Sequence, residues 1–314
     1  LVINAGGPKA YLGDGQGSFT APTFDPFIDA PKASMVIFAD VDNDLDLDLF
    51  LGTRASAPNQ SRLWKNDGGA RALEGLPEDV CAAWGEPPER VEVIESAADG
   101  GQIVFETELG DGQKTGWFYD QAFNRSQLAR FMKTDARVLD VCCYAGGWAA
   151  TAASLGARRV DCVDASAPAI ERAQANVARQ ARAGATAEFF AHRGDAFDVL
   201  AQLAETGERY DVVVVDPPAF IKRRKDIPQG EAAYRKLNQL ALRVLADEGL
   251  LISCSCSYHL AIDSLQTAIQ SAARHVDRSV QIVYQGMQSP DHPVHPAIPE
   301  TRYLKAFFCR VTRG

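Results

Sequence analysis

Two short stretches of this chain carry residue types that could do covalent chemistry. Asp216-Pro-Pro-Ala-Phe220 closes the apolar run 211–215, and Ser255-Cys256-Ser257 follows the apolar run 249–254. Such runs are typical of strands that are buried on both faces of a parallel sheet. In an open α/β sheet, ligands bind at the carboxyl ends of the strands, so the acid and the thiol would face one crevice. This pairing indicates chemistry on a planar base, with Cys256 as the nucleophile.

A glycine turn and a series of acids could bind a nucleoside near the same crevice. Residues 138–148 predict a strand, a tight turn at Gly146-Gly147 and an alanine-rich helix, and glycine lets a ligand approach the backbone closely. The spacing is not G-x-G-x-x-G, which favours another nucleoside over a dinucleotide. An acid at the end of the second strand would suit a ribose hydroxyl pair, and the next could accept from an adenine amino group. Acids at strand ends are also common helix caps. The four acids in register on successive strands are Asp140, Asp164, Asp195 and Asp216.

Alternating strands and helices would position these residues. From Arg137 onward the alternation predicts a parallel sheet with helices on both faces. Ahead of it, Val91–Glu95 and Gln102–Thr107 predict a β-hairpin around Asp99-Gly-Gly101. The strands of the sheet are predicted at 138–142, 159–163, 187–191, 211–215, 249–254, 280–284 and 303–310.

Composition limits the class of protein. The chain has 314 residues, enough for one to three domains, and its net charge of -9 makes it a poor general binder of polyanions. A nucleic-acid substrate would need a local basic patch, for which Lys222-Arg-Arg-Lys225 is the dense candidate and a solvated loop the alternative reading. Seven cysteines, in spacings unlike zinc sites, predict reduced thiols in the cytoplasm. We expect no signal peptide and no membrane span, and the start at Leu1 without Met predicts a fragment.

The order of these features resembles the class I S-adenosylmethionine-dependent methyltransferases. The resemblance implies a Rossmann-like α/β fold with a seven-stranded sheet whose last strand is antiparallel, preceded here by the β-hairpin and a short β-rich fragment. It also implies that Asp140 and Gly146 line the methionine and sulfonium region of S-adenosylmethionine. Asp164 would then hold the ribose and Asp195 the adenine. The remaining residues predicted to bind this cofactor are Tyr144, Ala145, Ala165, Ala196, Asp216 and Lys114.

Further motifs, together and in order, resemble the large-subunit ribosomal RNA cytosine carbon-5 methyltransferase family. The similarity runs from about Lys65 or Arg71 to the end of the chain. The chain departs from the family's pattern at Ala219, where relatives often carry Lys, and at Ala165, where a polar residue is more usual. The matching motifs are Trp84-Gly-Glu86, Gly112 to Gln121 with Asn124-Arg125, Tyr144 to Trp148, Asp216 to Phe220, Ser255-Cys256-Ser257, and Asp291 to Val294 with Tyr303-Leu-Lys305.

This second resemblance implies a covalent reaction on ribosomal RNA. A thiolate that adds to carbon 6 of cytosine makes carbon 5 nucleophilic enough to accept a methyl group. Cys256 matches the family's cysteine, Cys254 is the reserve candidate, and Asp216 would hydrogen-bond the protonated ring nitrogen of a flipped base. Because an ordinary thiol has a pKa of about 8.5, we expect local activation of the cysteine, whose source the sequence does not show.

Several alternatives stay open at this level. Methyl transfer to an exocyclic amine or to a guanine nitrogen also uses an Asp-Pro-Pro strand end, although that chemistry needs no thiol. His292 could line the pocket, but a histidine next to a proline in a loop is more often structural. Lys114 could neutralise a cofactor carboxylate or an RNA phosphate, and its alternative is an ordinary surface lysine.

The first 69 residues carry a different pattern. Asp40, Asp42, Asp44 and Asp48 have the spacing of a calcium loop, although Leu45 stands where glycine usually makes the turn. With its flanking sequences the segment resembles one FG-GAP or VCBS-type β-propeller repeat, and a single blade cannot bury its faces alone. This pattern supports a third reading from another class, an extracellular calcium-binding repeat protein.

We therefore predict three segments. Residues 1–69 are the repeat fragment, 70–124 the hairpin and linker domain, and 125–314 the methyltransferase domain. The two resemblances meet at 63–71, which suggests a junction between unrelated sequences. Relatives of the methyltransferase normally carry an RNA-binding PUA domain in front, and none is evident here.

Overall fold

The computed structural model of the chain describes strand backbones between residues 2 and 64 and, with their side chains, residues 90–97, 101–108, 116–180 and 187–314. The chain divides into two units, residues 1–91 with 108–117 and residues 92–107 with 118–314. Short antiparallel strands of the first unit form the sheets β1-β2, β3-β4 and β5-β6-β7. They are β1 (Val2–Asn4), β2 (Gly7–Lys9), β3 (Leu12–Gly13), β4 (Phe19–Thr20), β5 (Met35–Ala39), β6 (Asp48–Gly52) and β7 (Arg62–Trp64).

The predicted calcium ligands cannot be placed in this unit. Asp40, Asp42 and Asp44 lie outside the described residues, as does the side chain of Asp48, which begins β6. The resemblance to a propeller repeat and the three-segment division therefore stay predictions.

The predicted hairpin is confirmed, with β8 at Arg90–Ser96 and β9 at Gln102–Glu108. Buried and exposed side chains alternate along both strands, as expected when one face of a hairpin is covered. Asn176 covers it from a neighbouring helix, accepting from the Glu106 backbone N–H at 2.7 Å and donating to its carbonyl at 3.1 Å.

Seven strands form the main sheet in the order β12-β11-β10-β13-β14-β16-β15. Five neighbouring strands, β10 to β14, run parallel, and β16 pairs antiparallel with both β14 and β15. The predicted sheet of seven strands with an antiparallel last strand is confirmed. The strands are β10 (Arg137–Val141), β11 (Arg159–Asp164), β12 (Glu188–Arg193), β13 (Tyr210–Val215), β14 (Leu245–Ser255), β15 (Arg278–Gly286) and β16 (Lys305–Arg313).

Helices cover both faces of this sheet. One apolar cluster joins the last three helices to the odd-numbered residues of the central strands, such as Leu139, Val213 and Leu251. On the opposite face Trp148 lies 6.1 Å from the ring of Phe308. The helices are α1 (Ala122–Gln127), α2 (Gly147–Ser154), α3 (Ala167–Ala181), α4 (Ala196–Glu205), α5 (Ile227–Val244) and α6 (Ile262–His275), with 3₁₀ turns at Tyr119–Gln121, Leu128–Arg130, Arg224–Asp226 and Pro299–Thr301.

Strand order fixes where a ligand can bind. The chain proceeds outward from β10 to β12 and then returns to place β13 on the other side of β10, so the order reverses between β10 and β13. A crevice opens at such a reversal, outside the carboxyl ends of the strands.

Two strands begin at other residues than predicted: β14 begins at Leu245, directly after α5, and β16 begins only at Lys305.

Gly146 lets the chain turn sharply from β10 into α2. Its φ of +73° is left-handed, and a Cβ at this position would lie 2.7 Å from the Cβ and 2.8 Å from the Cα of Ala173 in α3. We expect Gly146→Ala to lower the free energy of unfolding by roughly 2–5 kcal/mol, since left-handed strain and overpacking add. Urea denaturation measures this loss.

Gly207 provides the matched control. It has a similar φ of +79°, but no atom lies within 4 Å of the place that a Cβ would occupy, so Gly207→Ala should show only the strain of about 1–2 kcal/mol. Equal losses of unfolding free energy in the two variants would show that the close contact between Gly146 and Ala173 does not contribute to stability.

Candidate active site

The loop between β10 and α2 is fixed to the neighbouring strand by its backbone. The N–H groups of Cys142 and Cys143 both donate to the Val163 carbonyl, at 2.8 and 3.1 Å. Cys142 and Tyr144 have positive φ angles of 63° and 48°, as does Gly146. This backbone turns tightly over the carboxyl ends of β10 and β11, at the edge where the sequence predicts the cofactor.

Asp140 is a fully buried acid in the middle of this edge. Its Oδ2 accepts from the Ala149 N–H at 3.0 Å, while its Oδ1 has no partner among the described residues. Burial raises the pKa of Asp140 to about 8, and the nearby charges of Asp216 and Asp164 act in the same direction. A buried carboxyl oxygen without a partner is costly, so this atom is suited to receive a donor or a positive charge from a ligand.

The next two acids also hold loops in place. Asp164 accepts from the Tyr144 N–H at 3.0 Å and from the Ser166 N–H at 2.9 Å. Asp195 caps α4, with its Oδ1 2.8 Å from the Phe197 nitrogen. Asp195 is thus a helix cap, the alternative role that the sequence allowed. Each of the carboxylates of Asp164 and Asp195 can still accept further hydrogen bonds, and a ligand would use these. Ala165 and Ala196 follow these acids directly.

Asp216 connects three elements at the end of β13. Its Oδ2 accepts from the side chains of Gln121, at 2.9 Å, and Trp148, at 3.1 Å. Burial raises the pKa of Asp216 to about 6; the hydrogen bonds from Trp148 and Gln121 oppose this shift, and the charge of Asp120 adds to it. The side chain is only half-buried, so it can also face a ligand in the crevice.

The two candidate cysteines differ in accessibility. Cys254 is wholly buried in β14, and burial raises the pKa of its thiol well above the ordinary value. Cys256 follows the last residue of β14 and is half-buried, with its Sγ 4.0 Å from the Pro217 carbonyl oxygen. The structure therefore brings the thiol of Cys256 beside the Asp216-Pro217 strand end, as the sequence predicts.

A buried hydroxyl cluster lies on the other side of this strand end. The Tyr234 hydroxyl is 2.8 Å from Ser255 Oγ and 2.9 Å from Ser257 Oγ, and Ser257 Oγ accepts from the Ile221 N–H at 3.2 Å. Lys305 donates to the Ser257 carbonyl at 2.5 Å. In the sequence, Tyr234 begins an apolar stripe at helical spacing that continues through Leu237, Leu240, Ala241, Val244 and Leu245, and this pattern predicts only core packing. The signal that could have revealed more is the hydroxyl of Tyr234 in an otherwise apolar stripe.

A hydrogen bond between Tyr303 and Asp120, which the sequence did not reveal, lies on the α1 side of the crevice. The Tyr303 hydroxyl donates to Asp120 Oδ2 at 2.8 Å, while the buried Oδ1 of Asp120 has no partner among the described residues. Both residues fall within motifs named above, but nothing in the sequence shows that they meet. Lys114 lies outside the described residues. His292 is half-buried, 3.2 Å from the carboxylate of its neighbour Asp291.

The described ranges contain neither a metal-binding cluster nor a membrane-spanning helix. Within them, no group of three or more His, Cys, Asp or Glu side chains is arranged to hold a metal ion. No helix in the same part of the chain has the length and apolar character needed to cross a membrane.

Residues 72–310 match the family model of S-adenosylmethionine-dependent methyltransferases. A protein of Methanocaldococcus jannaschii is 38% identical over 247 residues, which cover 79% of this chain and 60% of that protein. The ribosomal RNA large subunit methyltransferase I of Klebsiella pneumoniae is 35% identical over 248 residues, with the same two coverages of 79% and 60%. The chain thus spans about 60% of the length of the curated relatives it matches.

Solved structures share the fold. A protein crystallised in complex with SAH superposes with a TM-score of 0.61 at 23% identity, covering 73% of this chain and 58% of that one. An S-adenosylmethionine-dependent methyltransferase of Agrobacterium tumefaciens superposes with a TM-score of 0.57 at 16% identity, covering 90% and 91%. At these identities the likeness shows the fold alone.

Proposed function

Because the chain belongs to the S-adenosylmethionine-dependent methyltransferase family, we propose that it methylates carbon 5 of a cytosine in large-subunit ribosomal RNA. The observation that carries the proposal is the half-buried Cys256 thiol at the end of β14, beside the Asp216-Pro217 end of β13. The RNA class is supported by the ribosomal RNA methyltransferase from Klebsiella pneumoniae, which is 35% identical.

Residues at the ends of β10 to β12 fit S-adenosylmethionine. The orphan Oδ1 of buried Asp140 suits a cationic part of the methionine moiety, and the tight turn through Gly146 leaves backbone close to the crevice. Asp164 ends β11 and Asp195 lies two residues past the end of β12, where they would meet the ribose and the adenine. When bound, S-adenosylmethionine supplies the methyl group as an electrophile on its sulfonium.

Cys256 would act as the nucleophile on the base, and Asp216 would stabilise the protonated ring nitrogen of the adduct. The Cys256 thiolate forms a bond to carbon 6, and the displaced electron pair makes carbon 5 nucleophilic while ring nitrogen 3 takes up the proton of the Asp216 carboxyl group. Asp216 hydrogen-bonds that protonated nitrogen. After carbon 5 has accepted the methyl group, a base removes its proton, the carbon–sulfur bond breaks and the thiolate is regenerated, while ring nitrogen 3 returns its proton to the Asp216 carboxylate.

Product analysis tests this proposal directly. The protein is incubated with isotope-labelled S-adenosylmethionine and undermodified large-subunit ribosomal RNA, and the labelled nucleoside is identified after digestion. We expect 5-methylcytidine. We also expect RNA carrying 5-fluorocytidine to form an adduct with Cys256 that survives denaturation, because fluorine cannot leave carbon 5 as a cation. A methylated amine or guanine nitrogen, without an adduct, would favour the second reaction and overturn the first.

Delivery of RNA would depend on the basic segment after the site. Lys222, Arg223, Arg224 and Lys225 are all exposed, and Arg223 is paired with Asp226 at 3.2 Å. We expect the double variant Lys222→Ala/Arg224→Ala to weaken RNA binding and to reduce the slope of log K against log salt by about 1.4, or about 0.7 for each lost phosphate contact. Filter binding at several salt concentrations measures this slope.

A double variant of equal charge serves as the control for that measurement. Arg243 and Arg274 are exposed at the ends of α5 and α6, near the opposite edge of the sheet, where β14 and β15 begin. Arg243→Ala/Arg274→Ala should leave the slope unchanged. Equal effects from both double variants would mean that net charge, not the basic segment, governs binding.

A cytoplasmic location and weak calcium binding remain separate proposals. None of the six cysteines in the described ranges forms a disulfide, which supports a reducing compartment.

Calcium binding is supported only by the spacing of Asp40, Asp42, Asp44 and Asp48. Calorimetric titration tests it, and the absence of heat at millimolar calcium would remove it.

A further inference from the structure

Lys305 occupies an unusual position beside the proposed nucleophile. It is the first residue of β16, and its cross-strand partner is Ser255, the last residue of β14. The side chain is almost fully buried, with 6% of its surface exposed, and its Nζ donates to the Ser257 carbonyl at 2.5 Å. The strand pairing therefore brings an amine to the backbone segment that carries Cys256.

Among the residues that the structure describes, none gives Lys305 an acidic partner. In the described part of the chain its Nζ is bonded to a neutral carbonyl, and no carboxylate forms an ion pair with it. Burial lowers the pKa of Lys305 to about 8, and a negative charge on Cys256 is the influence that opposes this shift. Burying an ammonium without a counter-ion costs free energy, so an anion that forms near Lys305 would be stabilised by its charge.

Four titratable side chains in the described part of the chain lie close enough to Cys256 for its charge to shift their pKa. A charge on its sulfur acts on Tyr234 of α5, on Cys254 of β14, on Tyr303 and on Lys305. The phenols and the thiol are neutral when protonated, whereas Lys305 alone among these four becomes a cation. Of these four groups, Lys305 is therefore the one that can offer positive charge to a thiolate at Cys256.

We propose that Lys305 is a positioning residue whose buried ammonium stabilises the Cys256 thiolate for attack on the base, an inference that rests on the proposed function of Cys256. In this step the S–H bond of Cys256 breaks, the electron pair stays on sulfur and the proton passes to solvent water, while Nζ keeps its three hydrogens. The Ser257 carbonyl holds the ammonium in place. Lys305 supplies the local activation that the sequence requires but does not show.

Alkylation of Cys256 tests the inference without any RNA. The protein is treated with iodoacetamide between pH 5.5 and 10, and modification of the Cys256 peptide is followed by mass spectrometry. We expect Lys305→Met to raise the pH of half-maximal alkylation by about one unit and to slow alkylation at pH 7 by about tenfold, because thiolate is the reactive form. Lys305→Arg should restore most of the wild-type profile.

Two further variants keep the result interpretable. Lys236 is exposed on α5, and Lys236→Met should leave the alkylation profile unchanged. Lys305→Gln retains a donor for the Ser257 carbonyl but carries no charge, so it replaces Lys305→Met if that variant fails to fold. In the methylation assay the uncharged variants should lower kcat about tenfold and leave the KM for RNA unchanged.

The outcomes separate this inference from the proposed function. A folded, uncharged Lys305 variant with the wild-type alkylation profile overturns the inference, even if wild-type protein traps 5-fluorocytidine RNA. A shifted profile supports the inference even if the enzyme makes no 5-methylcytidine, and in that case the proposed function fails.

Discussion

Replacing Cys256 with alanine should abolish methyl transfer to RNA while leaving S-adenosylmethionine binding unchanged. We expect kcat to fall by more than about 10³-fold, since carbon 5 of cytosine is not nucleophilic enough to react without the covalent bond to carbon 6. The half-buried thiol lies past the end of β14, so its removal should disturb the core little. Transfer of a labelled methyl group and calorimetric binding of S-adenosylmethionine measure the two properties separately.

Cys254→Ala is the matched control on the same strand. Cys254 is wholly buried, so its loss should cost some stability but should leave turnover within a few-fold of the wild-type enzyme. Full turnover in Cys256→Ala would remove Cys256 as nucleophile. Loss of turnover in a folded Cys254→Ala variant would favour the reserve candidate.

Replacing Asp216 with asparagine should lower the rate of methyl transfer while raising the stability of the protein at pH 7. We expect kcat to fall by about 10²-fold or more, because an amide cannot share a proton with the ring nitrogen of the base. The asparagine oxygen can still accept from Gln121 and Trp148, which hold Asp216 at 2.9 and 3.1 Å, so the local geometry should persist. Single-turnover methylation measures the chemical step.

The stability of the same variant should depend on pH. Burial raises the pKa of Asp216 to about 6, so the native state favours the protonated acid, and wild-type stability from this group is lost as pH rises through that value. Asp216→Asn should therefore be more stable than the wild type at pH 7, by up to about 3 kcal/mol, and equal to it near pH 4. Urea denaturation at the two pH values measures this difference.

Asp211 supplies the control at the other end of β13. It is exposed and accepts from the Arg137 backbone N–H at 2.8 Å, away from the crevice. Asp211→Asn should keep full activity and show no gain in stability at pH 7. Wild-type activity in Asp216→Asn would exclude a role for this acid in the reaction.

Periodicity and strand ends made the fold predictable from the sequence. The apolar runs ending at Val215 and Cys254 became neighbouring parallel strands, and the hairpin around Asp99-Gly-Gly101 formed within one or two residues of its predicted bounds. Boundaries moved where tertiary pairing overrides local pattern. β14 starts at Leu245 because α5 leads straight into it, and the edge strand β12 runs to Arg193 through partly exposed residues.

The amino-acid sequence by itself determined which residues stand at strand ends, because alternation and apolar runs are local and the carboxyl ends of parallel strands share one edge. Asp216 and Cys256 could therefore be placed together. Only the tertiary structure decided what surrounds them. Lys305 reaches Ser257 because β16 pairs antiparallel with β14, and Asp216 is held by Gln121, 95 residues earlier. Such pairings depend on packing between distant segments, which no local spacing records.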